Sequence, residues 1–249
     1  MNIDQYLQRI QISDKPEKTL AFLEKLQFHH VTQVPFENLD ILQNIPLSLE
    51  ISDLYDKIVH QKRGGVCYEL NGLFHAFLVH LGFHAQLIAG TVYYGDHWGT
   101  KETHATILVT LESNNYLVDV GFGGNSPRKP IPLTGKTVQD IDGEYRIIPY
   151  STPKQTNVYA LQKKEQKDWQ YLYRFRTHQW NLDDFSSTCE FIQQSPDSPF
   201  NRGYFLMNVT ENGRKTLFGN SLTIVENGVK TKEKIPFEQL EKVVQTFLN

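Results

Sequence analysis

Residues 63–82, RGGVCYELNGLFHAFLVHLG, contain the pattern on which the fold depends. From Cys67 onward, apolar residues recur at intervals of three and four, as on the buried face of an α-helix. Gly82 ends the pattern, and glycine is common just after a helix because it adopts a left-handed backbone without strain. The stretch therefore predicts a strongly amphipathic helix with Cys67 at its N-terminus.

Three further helices are expected upstream of this one. Residues 3–10 carry apolar side chains at the spacing of one helix face. Ser13-Asp14 with Pro16 predicts the start of a second helix. A third is expected to begin after Ser52 and to end at the glycines of 63–65. Residues 1–82 are therefore interpreted as a helical bundle.

Downstream of Gly82 the apolar period changes to that of β-strands. Four segments are rich in β-branched and aromatic residues: 86–94, 106–111, 116–120 and 169–176. Asn227-Gly228, between two alternating runs, predicts a tight hairpin, and Pro236 predicts the start of a last helix. Helices followed by strands, and then by strands with one helix, indicate an α+β fold.

Composition and charge narrow the possible partners and the compartment. The 249 residues include 25 basic and 28 acidic side chains, for a formal net charge of −3, so we expect no nucleic-acid or membrane partner. The first residues lack the basic and apolar segments of a signal peptide, and no apolar stretch reaches roughly 20 residues, so we expect neither a signal peptide nor a membrane helix. Two cysteines, Cys67 and Cys189, are too few for a disulfide framework. We therefore predict a cytoplasmic protein with reduced thiols.

Cys67 is the residue most suited to chemistry. The free N–H groups and the dipole of a helix N-terminus stabilise a thiolate. The glycines before Cys67 would let the backbone turn sharply and leave room for a group to approach the sulfur. A lone cysteine is more commonly a small buried apolar residue. Position alone favours neither interpretation.

His104 and Asp119 could complete a nucleophilic site, because a thiolate needs a base and the base needs an orienting partner. Asp119 lies in an apolar segment, where a buried carboxylate must be paired. The order Cys-His-Asp is that of papain-like and transglutaminase-like acyl-transfer enzymes. However, a hairpin turn centred on 112–115 would place Asp119 opposite Leu108 and roughly 13 Å from His104. A bulge, a strong twist or a shifted register is therefore expected.

These motifs resemble the arylamine N-acetyltransferase family. The match lies in YLQRI at 6–10, PFENL at 35–39, RGGVCYELN at 63–71 and LVDVGFGG at 117–124. Cys67 and His104 are 37 residues apart, and His104 and Asp119 are 15 apart, as in the family. The resemblance is strong over residues 1–125 and weaker beyond them.

The resemblance implies a three-part α+β fold with a cysteine-protease or transglutaminase-like core. An N-terminal helical bundle (1–82) would carry the nucleophile, a central antiparallel β-barrel (83–190) the His and Asp, and a C-terminal α/β lid (191–249) would follow. It also implies acetyl transfer from acetyl-CoA to arylamines, arylhydrazines or N-hydroxyarylamines, as in xenobiotic metabolism. The reaction would be ping-pong, through a thioester intermediate on Cys67 and without a metal. The protein would be a monomer or homodimer.

The resemblance assigns a role to each residue of the catalytic triad. Cys67 would be the nucleophile, His104 the general base and acid, and Asp119 the residue that orients His104.

Other matched residues would bind the substrates or support the fold. Phe36 and Phe122 would line the acceptor pocket, and Thr103, Gly123 and Gly124 would contact the cofactor. The family's structural ion pairs would involve Arg9, Glu37 and Arg63.

Three other functions compete with this interpretation. A Cys-His-Asp amidase or peptidase would use the same residues but let water complete the reaction. A non-catalytic scaffold would leave Cys67 no more reactive than Cys189. A metal enzyme is disfavoured because His29-His30 and the pair of His75 and His80 lack the i, i+4 spacing of a zinc helix. His29 and His30 are instead read as cations at a helix C-terminus.

Overall fold

The chain forms an α+β structure, seen in a computed structural model that describes residues 1–150 and 156–248. The described part contains seven α-helices: α1 Ile3–Arg9, α2 Leu20–Gln33, α3 Leu39–Leu42, α4 Ile51–Tyr55, α5 Cys67–His80, α6 Ser186–Gln194 and α7 Phe237–Leu248. A π-helical turn, Asp56–His60, continues α4. Single 3₁₀ turns lie at Gly123–Asn125, Leu182–Phe185 and Pro199–Asn201.

Twelve β-strands of the described part form two sheets. The first eight strands are β1 His84–Val92, β2 His104–Leu111, β3 Asn114–Val118, β4 Ile131–Pro132, β5 Val138–Asp140, β6 Gly143–Pro149, β7 Val158–Glu165 and β8 Asp168–Arg176. The last four are β9 Phe205–Thr210, β10 Gly213–Phe218, β11 Ser221–Glu226 and β12 Val229–Lys234.

The helix α5 is the centre of the N-terminal half. All its residues from Cys67 to Phe74 are buried, so its first two turns are covered on every side. It packs against β1 and β2, and the ring of Phe77 stacks on that of Tyr6 from α1 at 3.9 Å between centroids. The helix was correctly predicted, but it is less amphipathic than its apolar spacing indicated.

The first sheet is a nearly closed antiparallel barrel. Its strand order is β4-β3-β2-β1-β8-β7-β6-β5, and β4 lies beside β6. The strand β2 therefore lies between β1 and β3, close to α5, and this places residue 104 next to the start of that helix.

The second sheet has the order β12-β11-β10-β9, with α7 packed against β9. Its core also takes in Leu39 of the PFENL segment. The C-terminal residues thus share a core with the N-terminal half. None of the helices in the described part is long and apolar enough to span a membrane.

The predicted arrangement of N-terminal helices, barrel and C-terminal sheet with helix is confirmed. Asn227 and Gly228 have φ of 49° and 78° and form the hairpin between β11 and β12, as predicted. The boundary expected between residues 190 and 191 falls inside α6, and the division into three parts stays a prediction.

Two helix starts differ from the prediction. The second helix begins at Leu20, not near Ser13, because Thr19 provides its N-cap by accepting a hydrogen bond from Phe22 N at 3.2 Å. The helix α4 begins at Ile51 rather than after Ser52.

Candidate active site

Cys67 is the first residue of α5, and its surroundings explain the glycines before it. A Cβ on Gly64 would lie 1.9 Å from the carbonyl oxygen of Pro35, and one on Gly65 would lie 2.5 Å from the carboxylate of Glu69. The glycines therefore accommodate packed neighbours. They were expected to leave room for a group to approach the sulfur, but the space they leave is filled by Pro35 and Glu69.

Glu69 holds the start of α5 in place. Its Oε2 accepts a hydrogen bond from the backbone N–H of Val66 at 2.9 Å, and its Oε1 pairs with Lys57 at 2.7 Å. Burial raises the pKa of Glu69 above its usual value, although Lys57 opposes this. The first turn of the helix that carries Cys67 is thus anchored by a buried ion pair.

A second ion pair joins the two flanking motifs. Arg63 donates to Oε1 of Glu37 at 2.7 Å and to Asp40 at 2.8 Å, which agrees with the expected pairing of Arg63 and Glu37. The expectation for Arg9 is wrong in the described part of the chain. Its guanidinium donates to backbone carbonyls of Gln33, Ile58, Lys62 and Arg63 instead.

The register of β2 and β3 explains how His104 reaches Asp119. The strands are joined by the two-residue turn Glu112–Ser113, with φ of 49° and 65°. A four-residue turn had been expected. The shorter turn pairs Leu108 with Leu117, so Asp119 follows the strand near Thr106 rather than Leu108. The shift reduces the offset between His104 and Asp119 along the strand from four residues to two, and His104 Nε2 donates to Asp119 Oδ2 at 2.7 Å.

Asp119 is fully buried and accepts hydrogen bonds from four donors. Oδ2 accepts from His104 and from the hydroxyl of Tyr173 at 2.7 Å, and Oδ1 accepts from Asn71 Nδ2 and from Gly121 N, both at 2.9 Å. A carboxylate has about four lone-pair sites. All of them are filled, so the carboxylate is held in one orientation.

Asn71, one helical turn after Cys67, ties α5 to the barrel. Its Nδ2 also donates to the carbonyl of Ala105 at 2.8 Å, and its Oδ1 accepts from Val120 N at 3.0 Å. The same side chain thus contacts the residues that follow both His104 and Asp119.

Burial and charge act in opposite directions on the pair of His104 and Asp119. Burial raises the pKa of Asp119, but the charge of His104 and the donors around the carboxylate leave it below its usual value. Burial lowers the pKa of His104, but Asp119 and a smaller contribution from Cys67 raise it to about 10. At neutral pH the pair is therefore an imidazolium beside a carboxylate.

The structure brings all three predicted residues together. Cys67 is close enough to His104 to affect its pKa. A Cβ on Gly121 would lie 2.9 Å from the Cα of Cys67. The segment that carries Asp119 therefore packs directly on the start of α5.

The cluster opens into a cleft of about 640 Å³, a volume suited to a small molecule. Cys67 and His104 line it. The aromatic lining residues include Phe36, Phe122, Phe191, Phe200, Phe205 and Phe218. The polar lining residues include Thr103, Asn125, Glu165, Arg214 and Thr216.

Four of the five further predicted residues line this cleft: Phe36, Phe122, Thr103 and Gly124. The ring of Phe122 packs edge-on against that of His104 at 4.9 Å between centroids. Gly123 does not line the cleft. It has φ of 66°, and a Cβ there would lie 2.5 Å from the sulfur of Met207. Gly123 therefore allows the 3₁₀ turn Gly123–Asn125 to pack closely against Met207.

The sequence analysis did not predict the role of Tyr173. It also did not predict the C-terminal residues that line the cleft, such as Phe205 and Phe218. Tyr173 was assigned to an alternating strand, and nothing local marks its hydroxyl as a partner of Asp119. Asn71 lies within the RGGVCYELN segment at 63–71, so its position in the sequence was a signal for it.

The described residues contain no group of three or more His, Cys, Asp or Glu that could hold a metal ion.

Comparison with known proteins identifies the family. A family model described as N-acetyltransferase matches residues 19–249. The arylamine N-acetyltransferase of Mycolicibacterium smegmatis is 32% identical over 255 residues, which cover 100% of this chain and 90% of that protein. The chain belongs to the arylamine N-acetyltransferase family. It is therefore an acyltransferase.

Three other proteins also match over most of their length. A Bacillus subtilis protein described as uncharacterized acetyltransferase YvcN is 37% identical over 196 residues, covering 78% of this chain and 76% of that protein. Arylamine N-acetyltransferase C from Bacillus anthracis has a TM-score of 0.91 at 29% identity, covering 99% of this chain and 98% of that one. A Bacillus cereus member, described as having a unique Cys-His-Glu catalytic triad, has a TM-score of 0.90 at 31% identity, covering 99% and 97%.

Proposed function

We propose that this family member transfers the acetyl group of acetyl-CoA to arylamines, arylhydrazines or N-hydroxyarylamines in two steps through acetyl-Cys67. The hydrogen bond of 2.7 Å between His104 and the fully buried Asp119, beside Cys67 at the start of α5, carries the proposal. The Cys-His-Glu triad described for the Bacillus cereus protein supports an acidic residue as the third member.

In the first step, Cys67 attacks the donor as a thiolate whose proton is held by His104. The sulfur forms a bond to the thioester carbonyl carbon, and the bond from that carbon to the CoA sulfur breaks. The released CoA thiolate takes the proton from the imidazolium. Backbone N–H groups at the start of α5 are suited to stabilise the intermediate oxyanion, because the first N–H groups of a helix have no intrahelical partner.

In the second step, the amine nitrogen attacks the carbonyl carbon of acetyl-Cys67. A bond from nitrogen to carbon forms, the bond from carbon to Sγ breaks, and His104 takes the proton that the nitrogen loses. The thiolate and imidazolium are restored. Asp119 keeps the ring in place during both steps.

The acceptor is proposed to be aromatic for two reasons. A lysine-like aliphatic amine has a pKa of about 10.4 and is protonated at neutral pH, whereas an arylamine is neutral and nucleophilic. Phe36 and Phe122, which line the cleft, can hold an aromatic ring by stacking. Thr103 and Gly124 are proposed to contact acetyl-CoA, with Gly123 shaping the turn that carries Gly124.

We propose the cytoplasm as the compartment, since both cysteines are free and buried, as expected of reduced thiols. The expectation of a monomer or homodimer stays a prediction.

The intact mass after incubation with acetyl-CoA tests the function. One acetyl adduct is expected on the wild type and on Cys189→Ala, and none on Cys67→Ala. Aniline should remove the adduct and yield acetanilide. Wild-type protein that forms no adduct, and cleaves peptides instead, would support the hydrolase alternative and contradict the proposal.

A further inference from the structure

Lys163 is a buried cation behind the wall of the cleft. It lies on β7, its exposed fraction is 1%, and it is not itself a lining residue. Its Nζ donates to Oδ1 of Asn125 at 3.1 Å and lies 5.4 Å from the ring centroid of Tyr145. A buried ammonium needs a partner of this kind, because its desolvation is otherwise costly.

The partner, Asn125, does line the cleft. Its backbone carbonyl accepts a hydrogen bond from the hydroxyl of Tyr145 at 3.3 Å, so the residue is held from behind at two points. An ammonium can only donate, so the amide oxygen of Asn125 must face Lys163 and the NH₂ group must point away from it. Within the described residues Nδ2 makes no hydrogen bond, and it does not belong to the buried side-chain atoms without a partner, so it is accessible from the cleft. The NH₂ group is thus open to a ligand.

The charge of Lys163 maintains this orientation at neutral pH. Burial lowers the pKa of Lys163, and Arg214 lowers it further, whereas Asp142, Glu165 and Asp140 oppose the shift; the result is about 8. Below this pH the ammonium remains a donor without acceptor capacity, and the amide cannot turn over to face it.

The chemistry of the two substrates indicates which of them meets the NH₂ group. A simple arylamine has one polar atom, the nitrogen, which must reach the acetyl carbon at Cys67. Acetyl-CoA carries two amide carbonyl oxygens on the arm that leads to its thioester, and each can accept from an amide NH₂.

We propose that Asn125 Nδ2 donates to an amide carbonyl oxygen of the bound acyl donor, and that Lys163 is a positioning residue that holds the Asn125 amide in this orientation. The inference rests on the proposed function of acetyl transfer from acetyl-CoA.

The test uses Asn125→Leu, Lys163→Met and the double variant of the full-length protein. Lys164→Met is the matched control, because Lys164 is the next residue on β7 but pairs with Glu144. The dissociation constant of CoA is measured by calorimetric titration. Acetylation of Cys67 is measured by mass with acetyl-CoA and with p-nitrophenyl acetate, which has no amide carbonyl.

We expect Asn125→Leu to raise the dissociation constant of CoA about fivefold to tenfold, the effect of one lost hydrogen bond. Lys163→Met should raise it about fivefold, and the double variant no more than Asn125→Leu alone, because both changes remove the same contact. Acetylation by p-nitrophenyl acetate should fall much less than acetylation by acetyl-CoA in Asn125→Leu, Lys163→Met and the double variant. Lys164→Met should leave both measurements unchanged.

Three results would overturn the inference: additive effects in the double variant, equal losses with both acyl donors, or a raised KM for aniline with unchanged CoA binding. Asn125→Leu alone tests the ligand contact should Lys163→Met not fold. A wild type that neither binds CoA nor becomes acetylated would contradict the proposed function, which is a different outcome.

Discussion

Asp119 shows how completely one side chain of the site is constrained. Its carboxylate is buried, and each of its two oxygens accepts two hydrogen bonds. The sequence predicted that a carboxylate in so apolar a segment needs a partner. One of its four donors, Gly121, comes from its own segment, and the other three come from α5, β2 and β8.

Asp119→Asn should slow acetylation of Cys67 by about a hundredfold to ten-thousandfold, the range of general acid–base contributions. The amide has one oxygen and one NH₂ group, so it cannot accept from both sides, and at least one buried donor loses its partner. Single-turnover acetylation followed by mass measures the effect. A variant that folds and reacts at the wild-type rate would show that Asp119 has no role in the reaction.

Tyr173→Phe isolates a single hydroxyl at the same carboxylate. The ring packs on His104 at 4.9 Å and is retained, whereas the donor to Oδ2 of Asp119 is lost. Because Tyr173 is not a lining residue of the cleft, kcat should fall about tenfold while KM for acetyl-CoA stays unchanged. Steady-state kinetics separate the two quantities, and a rise in KM alone would contradict a positioning role.

At the scale of elements, the turn between β2 and β3 determines whether His104 and Asp119 meet. Glu112 and Ser113 both adopt left-handed backbone conformations, which most residues avoid. Periodicity located both strands, but the turn length that sets their register differed from the expected four residues.

Replacing this turn by Glu112→Asn with Ser113→Gly should stabilise the protein by about 1 kcal/mol, because Asn-Gly favours the two left-handed conformations. The rate of Cys67 acetylation should not change, since the register is kept. Urea unfolding measures the gain. A loss of stability would show that the turn does not adopt the conformation seen here.

A neutral histidine of α2, His30, is buried against the rings of Tyr6 from α1 and Phe74 from α5. His30 was expected to be a cation at the end of a helix, and this is wrong, since burial lowers its pKa from 6.5 to about 3. Its Nδ1 pairs with the hydroxyl of Tyr6 at 2.9 Å, and its Nε2 has no partner in the described residues.

Below pH 6.5 His30 is protonated in the unfolded chain, whereas in the folded chain it stays neutral until about pH 3. Stability from this residue is therefore complete above pH 6.5 and is lost as the pH falls. Between pH 7 and pH 5 the wild type should lose about 2 kcal/mol more than His30→Asn, which keeps an acceptor for Tyr6. Urea unfolding at the two pH values checks this, and parallel losses would contradict it.

At the scale of the whole molecule, the PFENL segment joins the N-terminal half to the C-terminal sheet. Phe36 pairs with Met207 through two backbone hydrogen bonds of 2.9 Å. The buried side chain of Asn38 donates to the carbonyls of Phe200 and Gly203 and accepts from Phe205 N. Two of these partners, Phe200 and Phe205, line the cleft.

Asn38→Leu should lower the free energy of unfolding by about 3 kcal/mol, since three hydrogen bonds of about 1 kcal/mol each are lost. It should also make the segment near Phe200 more sensitive to proteolysis, because the hydrogen bonds of Asn38 to residues 200–205 are lost. Urea unfolding and limited proteolysis measure these effects. Asn38→Asp, which keeps the acceptor for Phe205 but places a charge beside two carbonyls, should be destabilised at least as much.

Local features of the sequence predicted the type and order of the main elements, the helix that begins at Cys67, and the three residues of the candidate triad. These follow from local properties: apolar spacing, glycines at defined positions, and polar residues in apolar segments. They could be read without knowing which distant segments are neighbours.

The folded structure alone reveals the register that joins His104 to Asp119, the contact with Tyr173, and the wall of the cleft built from Phe205 and Phe218. It also shows that Gly123 packs against Met207 and does not line the cleft, and that Lys163 donates a hydrogen bond to Asn125. Each of these depends on residues that are distant along the chain. Local spacing does not encode such contacts, because the packing of the barrel, the helices and the second sheet determines them together.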